Sequence, residues 1–543
     1  MVSSRSLVDY LLLHARNRTK HAALLEIDTS KGESTPSWMT WSDVAIRTSA
    51  LATWLIDQRL GPEAIVASIL PNSSDWIVLD LACQTLGIIH APIDSRHPPA
   101  LIEKLLEIIQ PSLVVRSSAR DIKAQGTSRW PAWLLDWNEM IRSEPKSQTD
   151  HDELSNFADI YERYQGRRCN QNTATILCTS GTTETPKGVM LSHHNLISNA
   201  LGKLHAMPQS AADRRLNFLP FSHSYARTCE LSTWLITGSE LMIAPSLHSV
   251  PRAAQRYAPT LINGVPSFFD SLRRTLTEDK TKVSLLKYLG GSIRQLASGG
   301  AALNYDTAVF FEASELPILV GYGLTEASPV VCSNASSDGR TNNVGLPIPG
   351  VKLQIDSQGE LWVSGPGVMQ GYIHNASATA TTIVNGMLRT GDLAEIDSSG
   401  RLHLVGRVRD TLVLSSGVKV APYQVEKELK ANAGIEDAVV LGEGWERCAA
   451  ILVVGDTVWN LLQSSPPTLQ HELIDGLQKR LVELPKYATP IAWIIRKNPF
   501  SANPLLVNPK GAPQRERIRI HYEPWLRESV RSGVCAIALD AST

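Results

Sequence analysis

Apolar and polar positions along this chain of 543 residues fall into two alternating rhythms. Short unbroken apolar runs, such as Ala174 to Cys178 and Leu113-Val114-Val115, read as buried strands, because a strand covered on both faces has no polar side to show. Between such runs lie stretches like Leu101-Ile102-Glu103-Lys104-Leu105-Leu106-Glu107-Ile108-Ile109, whose apolar residues recur every three or four positions, as on one face of a helix. This alternation through most of the chain before Arg409 predicts an α/β fold with a large multi-sheet N-terminal domain. Beyond Arg409 the pattern becomes that of a small α+β domain. A helix spans Ala421 to Ala431 with Pro422 in its first turn, strands follow at Ala438 to Leu441 and Ala449 to Val454, then a helix over Pro466 to Leu484 and a strand over Ile491 to Ile495. The expected organisation is a large domain over 1–408, a small mobile cap domain over 409–525 and a tail over 526–543. The polar segment Ser143 to Gln171 reads as an irregular connector or partly helical surface, and no internal repeat stands out.

Composition narrows the class. The chain is too long for a single hydrophobic core, and a hydrophobic fraction of 43% is ample for folded domains. A formal net charge of -1 argues against general electrostatic attraction to nucleic acid. The seven cysteines are an odd, scattered set with no CxxC pair, which fits a reducing cytoplasm. The start, Met1 to Arg5, lacks the charged opening and apolar core of a secretory signal, and even Trp76 to Pro92 is interrupted by Asp80 and Gln84. The expectation is a cytoplasmic protein, at most peripheral on the inner membrane face.

The densest candidate chemistry is Thr179-Ser180-Gly181-Thr182-Thr183-Glu184-Thr185-Pro186-Lys187-Gly188, placed between two predicted strands. Hydroxyls and backbone NH groups can wrap an anion, Gly181 and Gly188 let the backbone come close or take positive φ, and Lys187 adds a mobile positive charge. A generic Ser/Thr/Gly cluster is more often a plain polar hairpin loop, and the common P-loop is excluded because Pro186 stands where GxxxxGK[ST] needs glycine. Further on come Leu219-Pro220-Phe221-Ser222-His223-Ser224-Tyr225-Ala226-Arg227, then Ser298-Gly299-Gly300-Ala301 and Gly321-Tyr322-Gly323-Leu324-Thr325-Glu326. Small residues admit a base, a ring offers a stacking face, a hydroxyl meets phosphate and a carboxylate holds a hard cation. Arg389-Thr390-Gly391-Asp392 and Gly406-Arg407-Val408-Arg409-Asp410 add a carboxylate able to accept two hydroxyls and a guanidinium fork.

Taken in this order across nearly the whole chain, these segments resemble the AMP-forming adenylating enzymes, the superfamily of acyl-CoA synthetases, luciferase and peptide-synthetase adenylation domains. Within it the chain is most similar to the long-chain fatty acyl-CoA synthetases. The resemblance implies that Thr179, Ser180, Gly181, Thr182, Thr183 and Lys187 hold the phosphates of ATP. It further implies Gly300 and Tyr322 against adenine, Thr325 on the α-phosphate, Glu326 on Mg²⁺, Asp392 and Arg407 at the ribose, and His223 lining the acyl and phosphate site. Arg409 takes the hinge position, Gly417 leaves room for the pantetheine arm of coenzyme A, and Lys510 fills the catalytic-lysine slot, with Arg515 as its rival. Glu184, Ala226 and Ser267 depart from the family pattern, which has Gly, Glu and Arg there; Glu184 is expected to point outward or toward the metal. The implied activity is ATP-dependent activation of a carboxylic acid, a fatty acid above others, through acyl-AMP, then thioester formation with CoA and release of AMP and pyrophosphate. An acyl-AMP ligase loading a carrier protein, an aryl-acid CoA ligase and a catalytically degenerate nucleotide-binding regulatory protein are the alternatives, and a luciferase-like oxygenase is a remote one.

Overall fold

The structure is a computed structural model and describes residues 6–27, 37–116, 150–167, 170–179, 186–278, 284–335, 343–464, 467–507, 513–532 and 536–540. It divides into two compact units, Met1–Gln354 with Trp362–Thr390 and Ile396–His403, and Ile355–Leu361 with Gly391–Glu395 and Leu404–Thr543. Where a single cut after residue 408 is expected, two short earlier segments join the C-terminal unit. Within that unit Lys419 Nζ donates to Gln358 Oε1 at 3.0 Å and Arg407 Nε meets Asp392 Oδ1 at 2.9 Å.

The large unit contains two sheets of the doubly covered kind. In one, Ile318–Gly323, Gln295–Ser298, Leu261–Gly264, Arg214–Asn217, Glu240–Ile243 and Ala22–Glu26 run parallel, with antiparallel strands at either edge. The other orders Gly371–Tyr372, Lys187–Ser192, Thr173–Thr179, Ile89–Pro92, Ile65–Ile69 and Leu113–Arg116. Helix Ser74–Leu86, begun by Ser73 accepting from the Trp76 NH and ended by Gly87 at φ 69°, is buried on all sides and feeds the strand Ile89–Pro92. Helix Asp150–Arg163 lies in the segment expected as an irregular connector or partly helical surface, and differs from that expectation in being packed into the core. Leu154, Phe157, Tyr161 and Tyr164 recur at helical spacing, Phe157 is fully buried, and the stripe packs into the main core.

A charged group sits inside this core. Asp80 Oδ1 accepts from Arg227 Nη2 at 2.7 Å and lies 2.8 Å from His90 Nδ1, Gln84 donates to Oδ2, and His90 Nε2 lies 2.8 Å from Ser68 Oγ. Burial alone would raise the Asp80 pKa, but Arg227 and His90 together hold it below the usual carboxylate range. His90 is lowered, burial outweighing the pull of Asp80. A histidine with a depressed folded pKa contributes stability that is present above its unfolded value, about 6.5, and lost as pH falls. Stability is therefore expected to fall from pH 7 to pH 5, by at most about 1.4 kcal/mol per pH unit from this residue, and the thermal midpoint to drop with it. His14 is lowered in the same direction, so His90→Gln should flatten the profile in part; an unchanged slope in that variant would contradict the assignment.

In the small unit, Ile435–Leu441, Ala449–Val454, Ala492–Arg496 and Ala536–Asp540 form one sheet. Successive residues such as Ile451 and Leu452 enter opposite cores, which is why these strands read as unbroken apolar runs. Of the segment expected as a tail, 526–543, the described residues 526–532 and 536–540 belong to this fold. Helix Arg515–Ser532 buries Leu526 and Val530, and Ala536–Asp540 pairs in parallel with Ala492–Arg496. Among the described residues no helix is long and apolar enough to cross a membrane.

Candidate functional site

Strands Thr173–Thr179 and Lys187–Ser192 pair antiparallel, with Thr179 opposite Lys187, so this pair closes the hydroxyl-rich loop between them. Ser180, Gly181, Thr182, Thr183 and Glu184 lie outside the described residues. Gly188 is required for clearance: a Cβ there would stand 2.7 Å from Ile373 and 3.0 Å from Ile176.

Lys187 and Glu326 meet through a residue that sequence reading passed over. The Lys187 ammonium lies 5.2 Å from the centre of the Tyr372 ring, and the Tyr372 hydroxyl donates to Glu326 Oε1 at 2.8 Å. Tyr372 is delivered by the two-residue strand Gly371–Tyr372, which pairs with Val189 and Met190 next to the loop. Nothing in its local pattern distinguishes it from a core aromatic.

The turn carrying Thr325 and Glu326 is held from several sides. At Gly323 a Cβ would stand 1.9 Å from the Pro329 carbonyl oxygen, so only glycine fits. Ser328 adopts φ 72° although fully buried; its hydroxyl donates to the Gly367 carbonyl, and the Thr228 hydroxyl donates to the Ser328 carbonyl. Asn199, on helix His193–Ala206, donates to the carbonyls of Ala327 and Val330 and accepts from the Val330 NH. It too was missed, since an Asn inside an amphipathic helix gives no hint of what its amide will meet.

Thr325 Oγ1 lies 3.1 Å from Ser224 Oγ, which brings the His223 segment to the same turn. His223 Nε2 stands 3.6 Å from Asp94 Oδ2. Burial would raise Asp94, but the Arg96 guanidinium, which grips both its oxygens, and His223 hold it well below the carboxylate range. The Tyr225 ring packs against Gly299, 3.1 Å from where a Cβ would be. Gly300 takes φ 84°, a value that favours glycine, and Tyr322 is buried beside Cys332. Arg227, grouped with His223 by sequence, turns into the core toward Asp80.

In the small unit Asp392 and Arg407 are brought together, but as an ion pair, with Asp392 4% exposed. Gly417 sits at φ 81° in the turn joining Leu412–Val413 to Lys419–Val420, so its backbone angle is what demands glycine there. Arg409 is half exposed, its Nε 3.8 Å from Asp410. Lys510 lies outside the described residues. Its rival Arg515 is committed elsewhere: it donates to both oxygens of Glu426 and to the Val440 carbonyl, and despite burial, which lowers it, Glu426 holds its pKa above the usual value.

Among the described residues no group of three or more His, Cys, Asp or Glu gathers into a metal cage. Glu326 offers a carboxylate with one oxygen held by the Tyr372 hydroxyl. That donor set suits Mg²⁺, which keeps several waters and binds through one or two carboxylates together with substrate phosphates.

The chain matches known proteins in sequence and in fold. The family model described as AMP-binding enzyme matches residues 13–373, and that of the AMP-binding enzyme C-terminal domain matches residues 409–530. The chain is similar to the long-chain-fatty-acid–CoA ligase FadD15 of Mycobacterium bovis, 26% identical over 472 residues, covering 76% of this chain and 78% of that one. It is also similar to the 4-coumarate–CoA ligase-like 4 protein of Oryza sativa subsp. japonica, 29% identical over 440 residues, covering 76% and 77%. Among solved structures, O-succinylbenzoate coenzyme A synthetase from Bacillus subtilis in complex with AMP has the same fold, with a TM-score of 0.73 at 22% identity over 94% of this chain and 98% of the other.

Proposed function

The chain belongs to the AMP-binding enzyme family, and from that premise we propose that it is an AMP-forming acid:CoA ligase whose preferred acid is a fatty acid. The observation that carries this reading is the meeting of Lys187, Tyr372, Glu326, Thr325 and Ser224 in the large unit, from four separate stretches of chain. Such a set can grip a triphosphate. Lys187 and Thr325 supply charge and a donor to phosphate oxygens, and His223 lines the place where the acid lies. Mg²⁺ on Glu326 would offset phosphate charge when bound. Substitution at phosphorus needs alignment and charge neutralisation more than a protein nucleophile. In the first step an oxygen of the acid bonds to the α-phosphorus as pyrophosphate leaves; in the second, the sulfur of CoA bonds to the acyl carbon as its thiol proton passes to solvent and AMP leaves with the electron pair of the broken carbon–oxygen bond. Asp392 and Arg407 are assigned to the ribose, Arg409 to a hinge between the two steps, Gly417 to the pantetheine path and Lys510 to the charge that develops during adenylation. The boundary between a domain over 1–408 and a cap from 409 belongs to the same proposal.

An aryl acid is the second reading, favoured by the Tyr225 ring packing close to Gly299, next to Ser224 in the chain. Acid-dependent exchange of labelled pyrophosphate into ATP tests the proposal. Over a panel of fatty and aryl acids we expect exchange at least tenfold above the acid-free rate with one class, and thioester only when CoA is added. Exchange without thioester, restored by an acyl carrier protein, would move the acceptor assignment; no exchange with any acid would leave a nucleotide-binding protein without this activity.

A further inference from the structure

Tyr372 touches both charged groups of the candidate phosphate site, and the way it does so divides their roles. Its ring lies beneath the Lys187 ammonium at 5.2 Å, and its hydroxyl holds Glu326 Oε1 at 2.8 Å. It is 5% exposed and anchored at both ends, since its NH donates to Thr379 Oγ1 at 2.9 Å and its strand pairs with Val189. The turn bearing Glu326 is tied to the same segment, because the Met369 NH donates to the Glu326 carbonyl at 2.8 Å. A rigid ring between two mobile side chains fixes where each can point. With Oε1 engaged, the carboxylate can rotate little and presents Oε2.

Resting on the reading above, we propose that Tyr372 is a positioning residue: it sets the cation-binding carboxylate against the phosphate-binding lysine, so that the site prefers the metal complex of a nucleoside triphosphate to the free nucleotide. The ring acts on the lysine and the hydroxyl on the carboxylate, so the two effects separate in Tyr372→Phe, which keeps the ring and loses the hydroxyl.

Equilibrium titration calorimetry of ATP with Mg²⁺ or with EDTA, on the full chain, tests this without turnover. Tyr372→Phe is expected to weaken binding of Mg·ATP about tenfold, in line with loss of a hydrogen bond to a charged group, and to leave metal-free ATP within twofold. In a Glu326→Gln background the same change should have no further effect on Mg·ATP. The thermal midpoint of each variant is recorded to confirm folding. Equal weakening with and without Mg²⁺, or independent multiplying effects of the two substitutions, would overturn the proposal and leave the ligase reading intact. Absence of ATP binding by the unaltered protein would sink both.

Discussion

Replacing Arg227 with methionine is expected to destabilise the large unit by about 3–5 kcal/mol, the cost of leaving a buried charge without its partner. Arg227 is fully buried, its Nη2 lies 2.7 Å from Asp80 Oδ1, and its guanidinium sits 5.7 Å from the centre of the Trp76 ring. Asp80 is equally buried, and Arg227 is the main reason its carboxyl stays ionised against burial. Without the guanidinium the carboxylate must take up a proton or draw in water, and the hydrogen bonds from His90 and Gln84 lose their geometry. Urea titration or calorimetry of the variant measures the loss. The decisive comparison is the double variant Asp80→Asn with Arg227→Met. Removing both charges avoids the orphan, so it should recover most of the stability. A double variant as unstable as the sum of the two single ones would show that the pair is not coupled.

Glu326→Gln is expected to lower acid-dependent pyrophosphate exchange about 100-fold to 1000-fold, the scale seen when one preorganised electrostatic group is removed from a transition state. The substitution is nearly isosteric. Gln retains a carbonyl oxygen that can accept from the Tyr372 hydroxyl, and the backbone bond from Met369 is untouched, so the thermal midpoint should stay within about 2 °C, a stability change under about 1 kcal/mol. Activity lost with stability kept is the signature of a carboxylate used for charge. Exchange within threefold of the parent would remove Glu326 from the metal role, whatever the fate of the rest of the site.

Several features of the site were legible in the chain. Lys187 follows a hydroxyl-rich loop between two apolar runs, Thr325 and Glu326 follow a Gly-Tyr-Gly strand end, and each lies where its segment suggests. Tyr372 and Asn199 were not legible, because their importance lies wholly in partners 46 and 128 residues away. Arg227 shows the converse: sequence places it beside His223, and the fold turns it into the core. Asp392 and Arg407 were each assigned to one ligand and are found paired with each other. The buried helix Asp150–Arg163 carried its signal in Leu154, Phe157, Tyr161 and Tyr164, masked by a strongly polar background.

The amino-acid sequence by itself determined the alternation of strands and helices and the change of pattern after Arg409, because each follows from the periodicity of residues adjacent in the chain. Only the tertiary structure decided which charges meet. Tyr372 reaches Glu326 because a two-residue strand joins the sheet beside the loop, and Arg227 reaches Asp80 because a helix is buried against the same core; such pairings depend on how distant strands are ordered, and no local pattern encodes that order.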